Sequence, residues 1–381
     1  MMSNRILENR LKPILKWAGG KEQELKYIHP ALPNSFNNYY EPFIGGGAVF
    51  FSIKTDTYFV NDKSEELIVL YKLIKAQDKL FFEVVEEITK NWNLLEKILA
   101  NHNKDFIDLY TNFSKNIINE ADIKKWVLEF THKNSIEFNG MLETNFNINI
   151  ENFLAEIKKS LVSKIKRMKK IETEKGKLPN DDIVDNLEGA LKSAFYTHFR
   201  YLYNNIEKYK IEKSKEIAIF FFIRNFAYSG MFRYNKDGKF NVPYGGIGYN
   251  RKNLDKKIEY LKSKELIEHL NNTEIFNLDF EEFFKTVKPL KNDFIFLDPP
   301  YDSEFSTYAK NEFTQDDQKR LANYLLKDCE AKWMLVIKNT EFIFELYNQP
   351  NINISDFDKQ YLVNIKNRND KNAKHLIIKN Y

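Results

Sequence analysis

The sequence predicts an α/β protein: a Rossmann-like sheet built from both ends of the chain, with a mostly helical region inserted in its middle. Residues 38–74 read as strand, glycine turn, helix, strand, helix. Strand-like runs then vanish from about residue 76 and return only near residue 273. The returning run "FIFLDPPY" (294–301) stops on a carboxylate, Asp298, followed by Pro299, Pro300 and Tyr301. A charge at the end of a buried strand of an α/β sheet falls where such sheets bind ligands.

The elements follow in order. "NYYEPF" is strand-like, "IGGGAVFFSI" turns and starts a helix, and "YFVND" is a second strand. "SEELIVLYKLI" has helical spacing, with Ser64 in the capping position. "KLFFEVVEEITKNWNLLEKIL" is again helical. Residues 154–170 set Leu154, Ile157, Leu161, Ile165 and Met168 on one stripe and leave lysines and Arg167 elsewhere. That basic helix fits a solvated surface, and it also fits a helix laid along a phosphate backbone. "ETEKGKLPNDD" (172–182) reads as a loop. Further strands are expected at 273–280, 293–301, 332–339, 359–367 and 373–381. The expected division is 1–75 with 271–381 for the sheet and 76–270 for the insert.

Composition narrows the function. The chain has 381 residues, 43% of them apolar, enough for two cores. A net charge of +4 is compatible with a nucleic-acid partner without demanding one. The single cysteine, Cys329, excludes an internal disulfide and a cysteine-built metal site. The histidines at 29, 102, 132, 198, 269 and 375 form no HExxH or HxxxH pair, so no metal is expected. The start lacks a signal-peptide core, and no run approaches the roughly 18 residues of a membrane span. A soluble cytoplasmic protein without a membrane partner is the expectation.

Glu41 ends the first strand, and Gly45, Gly46 and Gly47 follow. Glycines let the backbone bend and approach a ligand with no Cβ in the way; a tight turn without a ligand uses them equally well. Phe50 stands where a dinucleotide fingerprint needs glycine, and "WAGGKE" (17–22) lacks the rest of a Walker A loop. An adenosine-like ligand without phosphate suits this acidic turn better. Asp62 ends the second strand, where a carboxylate receives ribose hydroxyls or caps a helix. Asp279 ends a third strand and is placed to receive an adenine amino group, with Phe280 beside the ring.

Proline fixes its own φ and pushes the residue before it to an extended conformation. "DPP" therefore holds Asp298 and the Pro299 carbonyl in a stiff, open arrangement. Two acceptors held apart suit an NH₂ group, and Tyr301 offers a face for stacking, worth about 1–3 kcal/mol per base. An exocyclic amine on a nucleobase is a poor nucleophile, because its lone pair is delocalised into the ring. Accepting both its hydrogens frees that pair to attack an electrophilic methyl group. A plain Asp-Pro turn is the alternative. "RNFAYSGMFRYNKDGKFNVPYGG" (224–246) mixes Arg224, Arg233, Lys236 and Lys239 with aromatic residues. That mixture suits phosphates and base edges, and it also suits a surface hairpin turning at "NKDGK".

Together these pieces resemble the DNA adenine-N6 methyltransferases of the Dam and DpnII type. "LKWAGGK" (15–21) is similar to the family's N-terminal cofactor segment, "EPFIGGGAVF" (41–50) to its glycine motif and "LDPPY" (297–301) to its catalytic motif. "SGMFRYNKDGKFNVPYG" (229–245) is similar to its DNA-contacting hairpin, and the motif order is that of the α group. The resemblance implies S-adenosylmethionine as donor, with Trp17, Lys21, Glu41, Phe43, Gly45, Gly47, Asp62, Asp279 and Phe280 lining its site. It implies Asp298, Pro299, Pro300 and Tyr301 around a flipped adenine. Lys12, Tyr228, Ser229, Met231, Arg233, Asn235 and Lys239 are the implied contacts to double-stranded DNA, with Arg233 at the guanine-reading position. Ser229 stands where Dam has asparagine, which leaves the target sequence open. A cognate restriction endonuclease is a further implied partner. The alternatives are an N4-cytosine methyltransferase, disfavoured by an aspartate rather than a serine at 298, and a non-catalytic DNA-binding relative.

Overall fold

The computed structural model describes residues 5–8, 10–17, 19–134, 136, 138, 148–300, 313–360 and 372–381. The chain divides into two units. One holds Met1–Gln77, Phe232–Tyr234 and Tyr260–Tyr381; the other holds Asp78–Met231 and Asn235–Glu259.

The first unit is built on a seven-stranded sheet. Its strands are β1 (Tyr39–Glu41), β2 (Tyr58–Asn61), β3 (Thr273–Phe276), β4 (Phe294–Leu297), β5 (Lys332–Lys338), β6 (Asn353–Gln360) and β7 (Asn372–Lys379). Their order is β3-β2-β1-β4-β5-β7-β6. Strands β1 to β5 run parallel, whereas β7 is antiparallel to both β5 and β6. This is the α/β sheet the sequence predicts, of the Rossmann-like methyltransferase type that the resemblance implies. The chain steps outward from β1 to β3 and later restarts at β4 on the other side of β1, so the order reverses between β1 and β4. A crevice forms at the carboxyl ends of strands at such a reversal.

Burial explains the strands. All four residues of β4 and all three of β1 are buried, as expected for central parallel strands covered on both faces. Asp293 fixes the two strands at their other ends. It accepts from the Asn38 backbone and side chain at 3.1 and 3.0 Å, from the Tyr40 hydroxyl at 3.1 Å and from the Leu290 N–H at 2.9 Å. Four donors satisfy a carboxylate that is only 1% exposed.

Four local expectations are corrected. After the glycine turn the chain makes only one 3-10 turn, Phe50–Ser52, before Ile53 bridges to Ile6. Strand β3 stops at Phe276, and Asp279 caps the helix Phe280–Val287 by accepting from the Glu281 N–H at 3.0 Å. Strand β6 begins at Asn353, ahead of the predicted 359–367, whose remainder from 361 lies outside the described residues. It is an edge strand with mostly solvent-facing residues, so its sequence lacks an apolar run. The predicted loop 172–182 is shorter, because the preceding helix runs to Lys175 and ends at Gly176 with φ 94°.

The second unit is helical. Its long helices are Lys79–Asn101, Ile150–Lys175 and Asn180–Tyr203, and Lys213–Phe226 leads to the hairpin. Trp92 anchors its aromatic core, with Phe226, Phe222 and Tyr244 at ring distances of 4.3, 5.6 and 5.6 Å. On Ile150–Lys175 the stripe Ile157, Leu161, Ile165 and Met168 is buried, as its spacing requires. The returning arm of the hairpin is fastened to Asn180–Tyr203. Tyr196 and Arg200 donate to the Val242 carbonyl at 3.0 and 2.9 Å, and Asn204 bonds both backbone groups of Phe240. Among the described residues no helix is long and apolar enough to cross a membrane.

His269 lies in the first unit, with ring centroids of Tyr58 and Phe50 at 4.4 and 4.5 Å. Burial pushes it down to about 4 from an ordinary value of 6.5. The unfolded chain therefore takes up the proton first as pH falls. The neutral ring's contribution is complete above about pH 6.5 and is lost toward pH 4, at roughly 1.4 kcal/mol per pH unit. Urea unfolding between pH 7 and 4.5 should show stability falling with acid, and His269→Phe should flatten that slope. An identical slope in the variant contradicts this assignment.

Candidate active site

The site is assembled at the reversal between β1 and β4. Ahead of the sheet, the Gly20 N–H donates to the Trp17 carbonyl at 3.2 Å, and Gly19 adopts φ +79°. This turn delivers Lys21 to the end of β4. Its ammonium lies 2.5 Å from Asp298 Oδ1 and donates to the Gly19 carbonyl at 3.0 Å. Lys21 is 2% exposed, whereas the Asp298 side chain is 19% exposed. Pro299 is buried beside it.

The glycine turn is held by Asp62. One carboxylate oxygen accepts from the Gly45 N–H at 2.9 Å, and the other accepts from the Ser64 N–H at 2.9 Å. Ser64 occupies the N-cap position of helix Glu65–Lys75, but its side chain makes no capping bond. The Gly45 carbonyl accepts from the Tyr71 hydroxyl at 3.2 Å. Gly45 has φ +49°, and a Cβ there would meet Trp17 Cδ1 at 2.9 Å. At Gly46 a Cβ would meet the Leu15 carbonyl oxygen at 2.8 Å. The two glycine-containing motifs thus interlock, Trp17 lying where side chains would otherwise stand.

Two more carboxylates complete an acidic end. Glu41 is 2% exposed and accepts from the Tyr39 hydroxyl at 2.6 Å. Burial pushes its pKa well above the usual carboxylate range; the Tyr39 bond opposes this, and the charge of Asp298 adds to it. Burial also raises Asp62, against the backbone N–H groups of Ser64, Gly45 and Lys63. Asp279 is held by Arg320, whose Nη2 lies 2.8 Å from its Oδ1. Arg320 also pairs with Glu281 and Asp317 and lies 4.8 Å over the Phe280 ring. Phe43, Phe280 and Phe313 form an aromatic cluster with centroids 5.5–5.8 Å apart.

Three contributors carried no readable sequence signal. Asn61, 1% exposed, donates to the Pro42 and Leu278 carbonyls at 3.1 and 3.0 Å and accepts from the Leu278 N–H at 2.8 Å. It ties together the segments that leave β1, β2 and β3; a polar residue just before Asp62 is the only hint. Gln318 is fully buried and donates to the Pro300 carbonyl at 3.0 Å, bracing the Asp-Pro-Pro segment from behind. Arg320 is the third. Tyr301 lies outside the described residues.

The expected DNA contacts occupy varied settings. Tyr228 is 48% exposed, Ser229 adopts φ +52°, and Arg233, Lys239 and Lys12 are exposed. The Lys12 backbone bonds the Tyr260 hydroxyl through both its N–H and its carbonyl. Asn235 spends its side-chain oxygen on the turn, accepting from the Asp237 and Lys239 N–H groups at 3.0 and 2.9 Å. Met231 is half-buried, and its carbonyl accepts from Arg224 at 3.3 Å. Arg224 is corrected from a loop cation to a buried brace, only 1% exposed at the end of a helix. Phe232, Phe240 and Tyr244 are likewise buried, so these aromatics pack the hairpin down. Phe232 lies 5.6 Å from the Trp17 ring within the first unit. Among the described residues no group of three or more His, Cys, Asp or Glu is placed to hold a metal ion.

Carboxylates gathered at the reversal of a 3-2-1-4-5-7-6 sheet are the setting expected of a Rossmann-like methyltransferase. The model of the D12 class N6 adenine-specific DNA methyltransferases matches residues 17–188 and 169–363, and the chain belongs to that family. It is an enzyme that places a methyl group, taken from a methyl donor, on N6 of adenine at specific sites in DNA. It is similar to the type II methyltransferase M.CviBI of Paramecium bursaria Chlorella virus NC1A, with 26% identity covering 97% of this chain and 100% of that protein. M.MjaIII of Methanocaldococcus jannaschii, also a type II methyltransferase, is 27% identical, covering 97% of this chain and 99% of that protein. The DNA adenine methylase of Haemophilus influenzae is 23% identical, covering 88% and 83%.

Gln318→Leu keeps the bulk of the side chain but removes the bond to Pro300. The variant should lose about 1–3 kcal/mol of stability. Its methyl-transfer rate on DNA at saturating donor should fall by roughly tenfold or more, as expected when a reacting group is misplaced. Wild-type turnover in a destabilised variant counts against a part for the Gln318–Pro300 bond in the reaction.

Proposed function

We propose that the chain uses S-adenosylmethionine to methylate a flipped adenine in duplex DNA, with Asp298 and the Pro299 carbonyl accepting the two amine hydrogens. The observation that carries this reading is the position of Asp298. It leaves β4 beside the acidic end of β1, its side chain 19% exposed and its backbone stiffened by two prolines.

The donor set fits a sulfonium nucleoside. Asp62 accepts from backbone N–H groups on both oxygens, and a carboxylate has capacity for a further donor such as a ribose hydroxyl. Phe43 and Phe313, half-buried and backed by the buried Phe280, offer apolar surface for a purine, with the Asp279 carboxylate at its edge. Carboxylates at this end disfavour a phosphate and favour a cation. When bound, the donor supplies a methyl group on positively charged sulfur. Asp298 and the Pro299 carbonyl draw the amine hydrogens toward themselves, so that the nitrogen pair points out of the ring plane. The methyl group would pass to N6 with the S–C electron pair left on sulfur, and N6 would then shed one proton.

The residues 1–75 and 271–381 carry this chemistry in our reading, and 76–270 read DNA, with Tyr228, Arg233 and Lys239 exposed for contact. Relatives named type II methyltransferases cover nearly the whole chain, which supports a restriction–modification setting with a cognate endonuclease, in the cytoplasm where the DNA lies.

Asp298→Ala should lower transfer of labelled methyl groups to duplex DNA by at least about 100-fold. Donor binding, measured by calorimetry, should stay near wild type. Methylation near the wild-type rate refutes the role of Asp298. Arg233→Ala should weaken discrimination at one guanine of the target by about 1–3 kcal/mol. A uniform loss across all sequences makes Arg233 a phosphate contact instead.

A further inference from the structure

At the acidic end of the sheet a lysine stands in direct contact with Asp298. Lys21 Nζ lies 2.5 Å from Asp298 Oδ1, with 2% exposure at the lysine. A second bond to the Gly19 carbonyl fixes the ammonium from behind. That carbonyl belongs to a turn which glycine makes possible through φ +79°. The lysine is thus aimed by backbone geometry rather than left to find its own partner.

The charges around Asp298 explain why it needs such a neighbour. Glu41 projects from the end of β1, bonded to Tyr39, and Asp62 stands at the end of β2; Tyr71 faces both. Glu41 is close enough for the charge of Asp298 to raise its pKa. Each carboxylate disfavours ionisation of the next. An acceptor that became protonated would present an O–H to the amine and lose the capacity to receive its hydrogen.

We infer that Lys21 is a positioning residue of the methyl transfer: its ammonium keeps the Asp298 carboxylate ionised and turned toward the amine. This rests on the reading of Asp298 as the amine acceptor. It replaces the cofactor role expected for Lys21 with one directed at the base-binding carboxylate, since the ammonium bonds Asp298 and the Gly19 carbonyl. It also assigns the proton that N6 loses to water rather than to Asp298, since a carboxylate bonded to an ammonium is a weakened base.

The test compares Lys21→Met, Lys21→Arg and wild type, with three readouts. Lys21→Met should lower kcat on duplex DNA by about 100-fold, the scale of a misplaced reacting group. It should leave the Kd for S-adenosylmethionine within about threefold, and it should move the acid limb of the kcat–pH profile upward by about one unit, because Asp298 has lost its counter-ion. Lys21→Arg keeps the charge and should leave the acid limb in place while recovering part of kcat. The inference is overturned if the donor Kd weakens in proportion to the loss of rate, which makes Lys21 a cofactor ligand only. It is equally overturned if the acid limb does not move in Lys21→Met, or if it moves as far in Lys21→Arg. Should Lys21→Met not fold, the arginine variant decides alone, through its pH profile. A double-mutant cycle in thermal stability between Lys21→Met and Asp298→Asn needs no substrate. Strong coupling in a wild-type chain that methylates no adenine leaves the pair intact and removes the reading of Asp298 beneath it. Absence of coupling removes the pair itself.

Discussion

The pairing of β1 with β4 is the constraint on which the rest of the site depends. Tyr39 and Tyr40 lie in register with Phe294 and Ile295, residues more than 250 positions away in sequence. Asp293 locks that register at one end by gathering four donors from both segments. At the other end, the same register brings Glu41 and Asp298 out of the sheet together. Neither side chain has any local reason to meet the other, and the helical unit between them in sequence does not alter the alignment. The chemistry follows from the topology, since the end of β4 is defined only relative to the end of β1.

A second consequence concerns the glycines. Glycine turns beside sheet ends invite the reading that a ligand needs the space. Here the space at Gly45 and Gly46 is taken by Trp17 and the Leu15 carbonyl, and at Gly47 a Cβ would meet the Tyr71 hydroxyl at 2.7 Å. The absence of side chains lets the N-terminal segment close onto the turn, and that closure carries Lys21 to Asp298. Asp62 contributes in the same sense, by holding the Gly45 N–H. The motif's small residues act on the chemistry through packing, one step removed from the reacting atoms.

Much of this was legible in the sequence where burial is strong. The runs that became β1, β2, β4, β5 and β7 are apolar because neighbouring layers cover them, and the glycine turn and Asp-Pro-Pro segment announce themselves by backbone chemistry. Strand β6 was read too late because an edge strand needs few apolar residues. Arg224, Phe232 and Phe240 have the composition of a solvent-facing basic and aromatic surface, yet all three are buried: Arg224 lies near the end of a helix, Phe232 packs beside Trp17, and Phe240 sits on an arm fastened to a helix. Asn61, Gln318 and Arg320 were invisible for another reason. Each is a single polar residue whose value lies in partners distant in sequence, and composition and periodicity carry no trace of such partners. The Lys21–Asp298 pair is of this kind too: both residues were marked, but nothing in either motif says that one holds the other.

The most direct test is the structure of the enzyme with a non-reactive donor analogue and duplex DNA containing its target site. The account predicts the target adenine out of the helix, its N6 within about 3.2 Å of both Asp298 and the Pro299 carbonyl. It also predicts the Lys21 ammonium still on the Asp298 carboxylate. An adenine bound with N6 directed to other acceptors, while Asp298 and Lys21 face only each other, contradicts it.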